Sequence, residues 1–174
     1  MAITVAVTDD IPALVQLINS AYRGEVSTNG WTTEAHLIAG SERIDDIGLH
    51  DLMQQPTAVI LKHTNTNGII NGSVYLNVEA GKLYLGLLCV TPFEQAQGVG
   101  KQLLAAAEAY ALNIGVSVIF MSVIPQRTEL VAWYNRHGYS VTGLTKPFTG
   151  PERFGKPTTP IEFIILEKQL VETE

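Results

Sequence analysis

The chain has 174 residues and a hydrophobic share of 46%, enough for one globular domain with its own core. Its 17 acidic side chains outnumber 11 basic ones for a net charge of −6, which disfavours nucleic acid as a partner and suits both solubility and a cationic ligand such as an amine. A single cysteine, Cys89, excludes an internal disulfide. No stretch is apolar for long enough to span a bilayer, and the first ten residues lack a signal-peptide pattern, so a cytoplasmic protein away from the membrane is expected.

Ile3, Val5 and Val7 alternate and predict a first strand. Asp9 or Asp10 then caps a helix with Pro12 in its first turn, and Ile11, Leu14, Leu17, Ile18 and Ala21 give it an apolar face. Tyr22 to Gly30 reads as a polar loop. Trp31 to Glu34 reads as the start of a second helix, and Asp45 to Gln54 as a further helical piece that stops ahead of Pro56. From Thr57 the period shortens. Strands are predicted from Thr57 to His63 and from Ile69 to Val78, joined by a hairpin turn and bulged at Asn71-Gly72. After a turn at Ala80-Gly81-Lys82, the apolar run Leu83 to Val90 reads as a buried strand. Val99, Leu103, Ala107, Tyr110 and Ile114 then fall at helical spacing. Val116 to Val123 is another buried strand. Thr128 to His137 is a helix ended by Gly138, Tyr139 to Leu144 a strand, Gly150 to Pro157 a turn-rich loop, and Ile161 to Glu167 a last strand. This order, without repeats or linkers, makes residues 1–174 one α+β (mixed α/β) domain.

Between the strand ending at Val90 and the helix opening near Val99 lies Gln95-Ala-Gln-Gly98-Val-Gly100-Lys101. The first turn of a helix leaves main-chain N–H groups free, its dipole favours negative charge, and glycines remove the Cβ that would hold a ligand off. The expectation is a seat for a phosphate or pyrophosphate. A phosphate-loop NTPase would need a glycine where Gln95 stands and a hydroxyl where Gln102 stands. A dinucleotide turn would need a third glycine where Leu103 stands. The pattern Gln/Arg-x-x-Gly-x-Gly/Ala is matched in full.

That turn, with Leu88-x-Val90 and Pro92 ahead of it, Leu103-Leu104 behind it and the block Leu130-Val-Ala-Trp-Tyr134-Asn-Arg-His-Gly138-Tyr139 downstream, resembles the GNAT superfamily of acetyl-CoA-dependent N-acetyltransferases. The resemblance spans nearly the whole chain. It implies a mostly antiparallel, splayed sheet of about seven strands flanked by about four helices. By the same resemblance the main chain of Gln95, Ala96, Gln97, Gly98, Val99 and Gly100 holds the pyrophosphate of the cosubstrate acetyl-CoA. Leu88, Cys89 and Val90 pair with its pantetheine arm at the point where the sheet splays from Val116–Val123. Arg127 stands where the family commonly has an asparagine; with Lys101 it either neutralises phosphate charge or is simply solvated.

Acetyl transfer requires an amine that has lost a proton, a polarised thioester carbonyl and an acid for the departing thiolate. The resemblance implies the Val90 N–H as the carbonyl donor and Tyr134 as the acid; helical spacing alone makes Tyr134 a core aromatic. The strand ahead of the turn carries Tyr84 and no carboxylate, so the base is Glu79, Glu25 or a water. The acceptor pocket is expected from the segment Arg23 to Arg43, including Trp31, with Tyr75, Tyr84 and the Lys146–Pro157 loop. Arg43 and Arg153 either clamp a substrate carboxylate or form a solvated pair. His36, His50, His63 and His137 sit on separate elements, so no metal is expected, and Cys89 reads as a small core hydrophobe. The expected activity is direct attack by a primary amine of a small molecule on acetyl-CoA. A protein lysine or N-terminus as acceptor, or an acyl-CoA sensor without turnover, are the alternatives. Pairs of chains are common among proteins of this type, so a homodimer is compatible with the resemblance.

Overall fold

The computed structural model describes residues 2–171. Seven of its strands form one sheet: β1 (Ala2–Val5), β3 (Val59–Thr64), β4 (Ile70–Glu79), β5 (Lys82–Val90), β6 (Val118–Val123), β9 (Glu162–Gln169) and β7 (Ser140–Pro147), adjacent in that order. Their neighbours run antiparallel except for β5 and β6. That exception follows from the connection, because a crossover helix returns the chain in the same direction.

Helices α1 (Ile11–Tyr22) and α3 (Asp46–Met53) cover one face, where Leu14, Ile18 and Leu49 pack with Ile60, Tyr75 and Cys89. Helices α4 (Val99–Asn113) and α5 (Thr128–Arg136) cover the other. There Leu103, Leu104, Ala107 and Tyr134 pack with Leu76, Leu83, Ile119 and Met121. The central strands are apolar on both faces because both faces are covered.

Two irregularities shape the region ahead of α4. β5 and β6 pair only at Leu83↔Ile119 and Tyr84↔Phe120, after which they part, and this is the splay the resemblance implied. β5 also bulges. Ser73 faces Cys89 and Tyr75 faces Gly86, so Leu87 and Leu88 together oppose Val74, with Leu87 at a φ of 52° in the left-handed region. The predicted bulge at Asn71-Gly72 is present as well, since His63 faces Gly72 and Thr64 faces Ile70.

Several local expectations are corrected. Trp31 and Thr32 form a turn and Thr33 and Glu34 are irregular, and the short helix is α2 (Gly24–Ser27), inside the segment read as a loop. Thr33 Oγ1 accepts the Ala35 N–H at 3.1 Å and bonds the Ser27 hydroxyl at 2.6 Å, so local hydroxyl bonds replace the helical ladder. Asp10 stands at the N-cap of α1, as expected, but its side chain makes no cap bond there. Its carboxylate accepts the Val7 N–H at 2.8 Å and meets Lys62 at 2.7 Å. The loop read over Gly150–Pro157 ends in a strand, β8 (Lys156–Pro157), paired with β2 (Ile38–Ala39) in a second, two-stranded sheet.

Candidate active site

The turn between β5 and α4 opens the site. Ala96 has a φ of 62° and Gly98 a φ of 86°, and Gly98 is the N-cap of α4. Alternating left-handed residues turn successive amides toward one side, the arrangement that makes an anion-binding concavity. Among the described residues, the main-chain N–H groups of residues 96–101 donate to no main-chain acceptor, while the Gly98 carbonyl accepts from Gln102 at 3.0 Å. A Cβ at Gly98 would meet nothing closer than 4.0 Å, so the space above the turn is open. Unpaired amides, a helix start and open space fit the diphosphate of a coenzyme. The Gln95 side chain is turned elsewhere: its amide donates to the Val90 carbonyl at 3.0 Å and to Thr32 Oγ1 at 2.7 Å, and its oxygen accepts the Trp31 N–H at 2.9 Å.

A cleft of about 460 Å³ runs from this turn along α5, lined by Trp31, Leu88, Cys89, Val90, Ala96, Gly98, Lys101, Arg127 and Tyr134 among others. A second cavity of about 380 Å³ lies on the far side of the splay, between Tyr22, Arg23, Glu34, Arg43, Tyr84 and the segment 146–151. Leu88, Arg127, Leu130 and Tyr134 line both. Tyr134 is 5% exposed, and burial pushes its phenol well above the ordinary tyrosine range, with the Arg127 charge opposing. It therefore stays protonated at neutral pH. The β5 backbone also faces this junction. Because the Thr91 N–H donates to Asn71 O at 2.8 Å, the antiparallel alternation turns Cys89 back to Ser73 and leaves Val90 with its N–H directed away from β4, toward the splay.

The cavity is held by a buried ionic triad. Glu34 is 6% exposed, and its two oxygens pair with Arg23 Nη1 and, at 2.9 Å, with Arg127 Nη1. Arg127 also donates to the Thr32 carbonyl at 2.6 Å and lies over the Tyr22 ring, 5.6 Å from its centroid. The Tyr22 hydroxyl donates to the Leu88 carbonyl at the bulge. The short helix and turn over 24–34 are thereby tied to the start of α5.

A model of the acetyltransferase (GNAT) family matches residues 13–139. The chain belongs to that family. No curated protein matches it at the sequence level. Solved structures similar in fold include the ribosomal-protein-S18-alanine N-acetyltransferase of Escherichia coli, at 16% identity, 99% of this chain, 96% of that chain and a TM-score of 0.72. The ribosomal-protein-alanine N-acetyltransferase of Brucella melitensis matches at 19% identity, 98% and 100% coverage and a TM-score of 0.72. The yncA protein of Salmonella typhimurium, solved with its cofactor acetyl-CoA, matches at 20% identity, 100% and 96% coverage and a TM-score of 0.68. As a GNAT protein the chain is an N-acetyltransferase that draws on acetyl-CoA.

Within this GNAT fold the expected site residues divide. Leu88, Cys89, Val90, Gln95, Ala96, Gly98, Val99, Gly100, Lys101 and Arg127 all line the cleft at the turn, and Gln97 is exposed beside it. Arg127 lines the cleft with its guanidinium paired to Glu34, so it is not simply solvated. Tyr84 and Arg43 line the second cavity, whereas Trp31 lines the cleft, held beside Gln95 by its own N–H. Glu25 is exposed on α2 and Glu79 is exposed at the tip of the β4–β5 hairpin, and neither lines either space. Glu25 lies on a one-turn helix and Glu79 is the last residue of β4. Arg153 pairs with Asp45 at 3.3 Å outside the cavity and does not join Arg43.

Sequence reasoning missed Glu34. Its signal was present, an acidic residue isolated among threonines and apolar residues between two arginines it can pair. The net charge of the chain does not describe this cavity. Arg23, Arg43, Arg127 and Lys146 line the second cavity against Glu34 alone, leaving a surplus of three positive charges. Among the described residues no three His, Cys, Asp or Glu side chains come together as metal ligands, and no helix is long and apolar enough to cross a membrane.

Proposed function

We propose that this GNAT protein transfers the acetyl group to a primary amine of a small molecule by direct attack. The observation that carries the reading is Tyr134, a buried, protonated phenol at the one place where the coenzyme cleft and the second cavity meet. Acetyl-CoA, when bound, supplies an activated acyl group as a thioester. Amides 96–101 and Lys101 hold its phosphates, and Leu88 to Val90 offer main-chain groups to its arm. The Val90 N–H is the donor assigned to the acyl oxygen. Tyr134 holds a proton at Oη for the departing sulfur. The Cys89 thiol takes no part. The residue is 3% exposed, and burial pushes its thiol up to about 11, which keeps it from serving as an acyl carrier.

The second cavity supports a small acceptor. The segment 151–155 contributes Pro151, Phe154 and Gly155 to its wall, and β8 ties the far end of that segment to β2. The lining offers no unpaired carboxylate as a base, which leaves the amine to release its proton to water.

The test is a panel of small amines and short peptides incubated with acetyl-CoA, read as free thiol released. Transfer to small amines is expected, and transfer to peptide N-termini alone would overturn the reading. Gly98→Glu is the control. It forces a side chain into the left-handed region and sets a carboxylate on the anion seat, so acetyl-CoA affinity should fall by on the order of 100-fold or more. Gly98→Ala carries the strain without the charge and should lose far less. Calorimetric titration with acetyl-CoA reads both.

A further inference from the structure

The second cavity has a charge that the molecule as a whole lacks. Two of its four cations are already engaged by one carboxylate. Arg23 and Arg127 share Glu34, and they donate further to the carbonyls of Phe154 at 3.3 Å and Thr32 at 2.6 Å. Arg43 and Lys146 have no acidic partner among the described residues. Lys146 is exposed and its lack of a partner is unremarkable. Arg43 is half-buried and lines the cavity.

Arg43 is also held in place. Asn19, near the end of α1, accepts the main-chain N–H of Arg43 at 2.6 Å and of Ile44 at 3.0 Å, and its amide donates to the Ile44 carbonyl at 3.0 Å. One side chain thus fixes the main chain at 43 and 44 while leaving the guanidinium uncommitted. Its positive field reaches Tyr84, where it opposes the upward push of burial on the phenol. Arg153, the neighbour that might have shared its load, is turned to Asp45 and lies over the Phe154 ring, 4.4 Å from its centroid. Elsewhere the wall is largely apolar, with Leu85, Met121, Phe148 and Phe163. An unpaired, half-buried arginine on a fixed stretch of main chain is a receptor for a planar anion, and its fork matches a carboxylate in two parallel bonds.

We infer that the acceptor is a small amino acid: an amine that carries its own carboxylate, which Arg43 grips while an apolar side chain lies against Phe148 and Phe163. This assignment rests on the acetyl-transfer reading and narrows it. It also runs against the bulk charge of the chain, which disfavours anionic partners in general.

The test compares leucine, methionine and phenylalanine with their amides and with the amines left when the carboxyl group is removed, all with acetyl-CoA and a thiol-release readout. The acids should be preferred on the order of 10–100-fold in kcat/KM, the size of a charge-assisted pair. Arg43→Gln should erase that preference, chiefly through KM, and Arg43→Lys should restore part of it. Calorimetry of CoA-loaded protein with the N-acetyl acids and the N-acetyl amines reads the same preference without turnover, and a melting curve for each variant separates lost binding from lost folding. Equal or better use of the decarboxylated amines overturns the assignment, as does a preference unchanged in Arg43→Gln or transfer confined to peptides. A protein that binds no acetyl-CoA and releases no thiol with any amine sinks the acetyl-transfer reading, and this assignment falls with it.

Discussion

Replacing Tyr134 with Phe is expected to lower turnover by about 10²–10⁴-fold while leaving acetyl-CoA affinity near its starting value. The substitution deletes one oxygen and keeps the ring. Edge-on contacts with Trp133 at 5.2 Å and Tyr139 at 5.9 Å hold that ring, and neither needs the hydroxyl. Among the described residues the causes acting on the Tyr134 phenol include no hydrogen bond, so none of those residues is left without its partner. The loss therefore falls on the proton given to the sulfur. Because burial raises the phenol above its ordinary range, it remains an acid throughout neutral pH, and its own ionisation should not limit the rate below about pH 10. Initial rates against pH, together with calorimetric titration of acetyl-CoA, check both parts. Unchanged turnover would return Tyr134 to the role of a core aromatic.

The second large effect is on stability. Glu34→Gln should destabilise the fold by about 3–5 kcal/mol, because it leaves two arginines buried against a neutral amide. The Arg23 side chain is 1% exposed and the Arg127 side chain 9%, so neither can turn to water without moving the main chain. For a domain of this size the melting temperature should fall by roughly 6–20 °C. Denaturant unfolding of Glu34→Gln, Arg127→Leu and the double variant separates the pair from its parts. If the variants add independently, Glu34 is not the centre of the triad.

What the sequence made legible followed from local periodicity and from one turn. The glycine turn, the helix behind it and the strand ahead are contiguous, and a contiguous pattern carries its own geometry. Tyr134 could be placed from the block around it. The segments that line the second cavity were read, residues 23 to 43, Tyr84 and the 146–157 loop, but not its charge pattern, because Glu34 meets Arg127 only once the chain folds. Glu25 and Glu79 looked as suitable as Glu34 by residue type; what separates them is burial, which no spacing rule records. The bulge at Leu87 was equally hidden. Nothing in an apolar run marks which residue will take the left-handed conformation when the neighbouring strand sets the register.

The surplus of positive charge in the second cavity has a consequence for the nucleophile. An ammonium entering that electrostatic field is penalised relative to the neutral amine, so its proton affinity drops there. Neutralising Arg43 with a substrate's own anion reduces the field without reversing its sign. The chamber itself can thus stand in for a dedicated proton acceptor, and the arginines that frame it would be reagents as much as scaffolding.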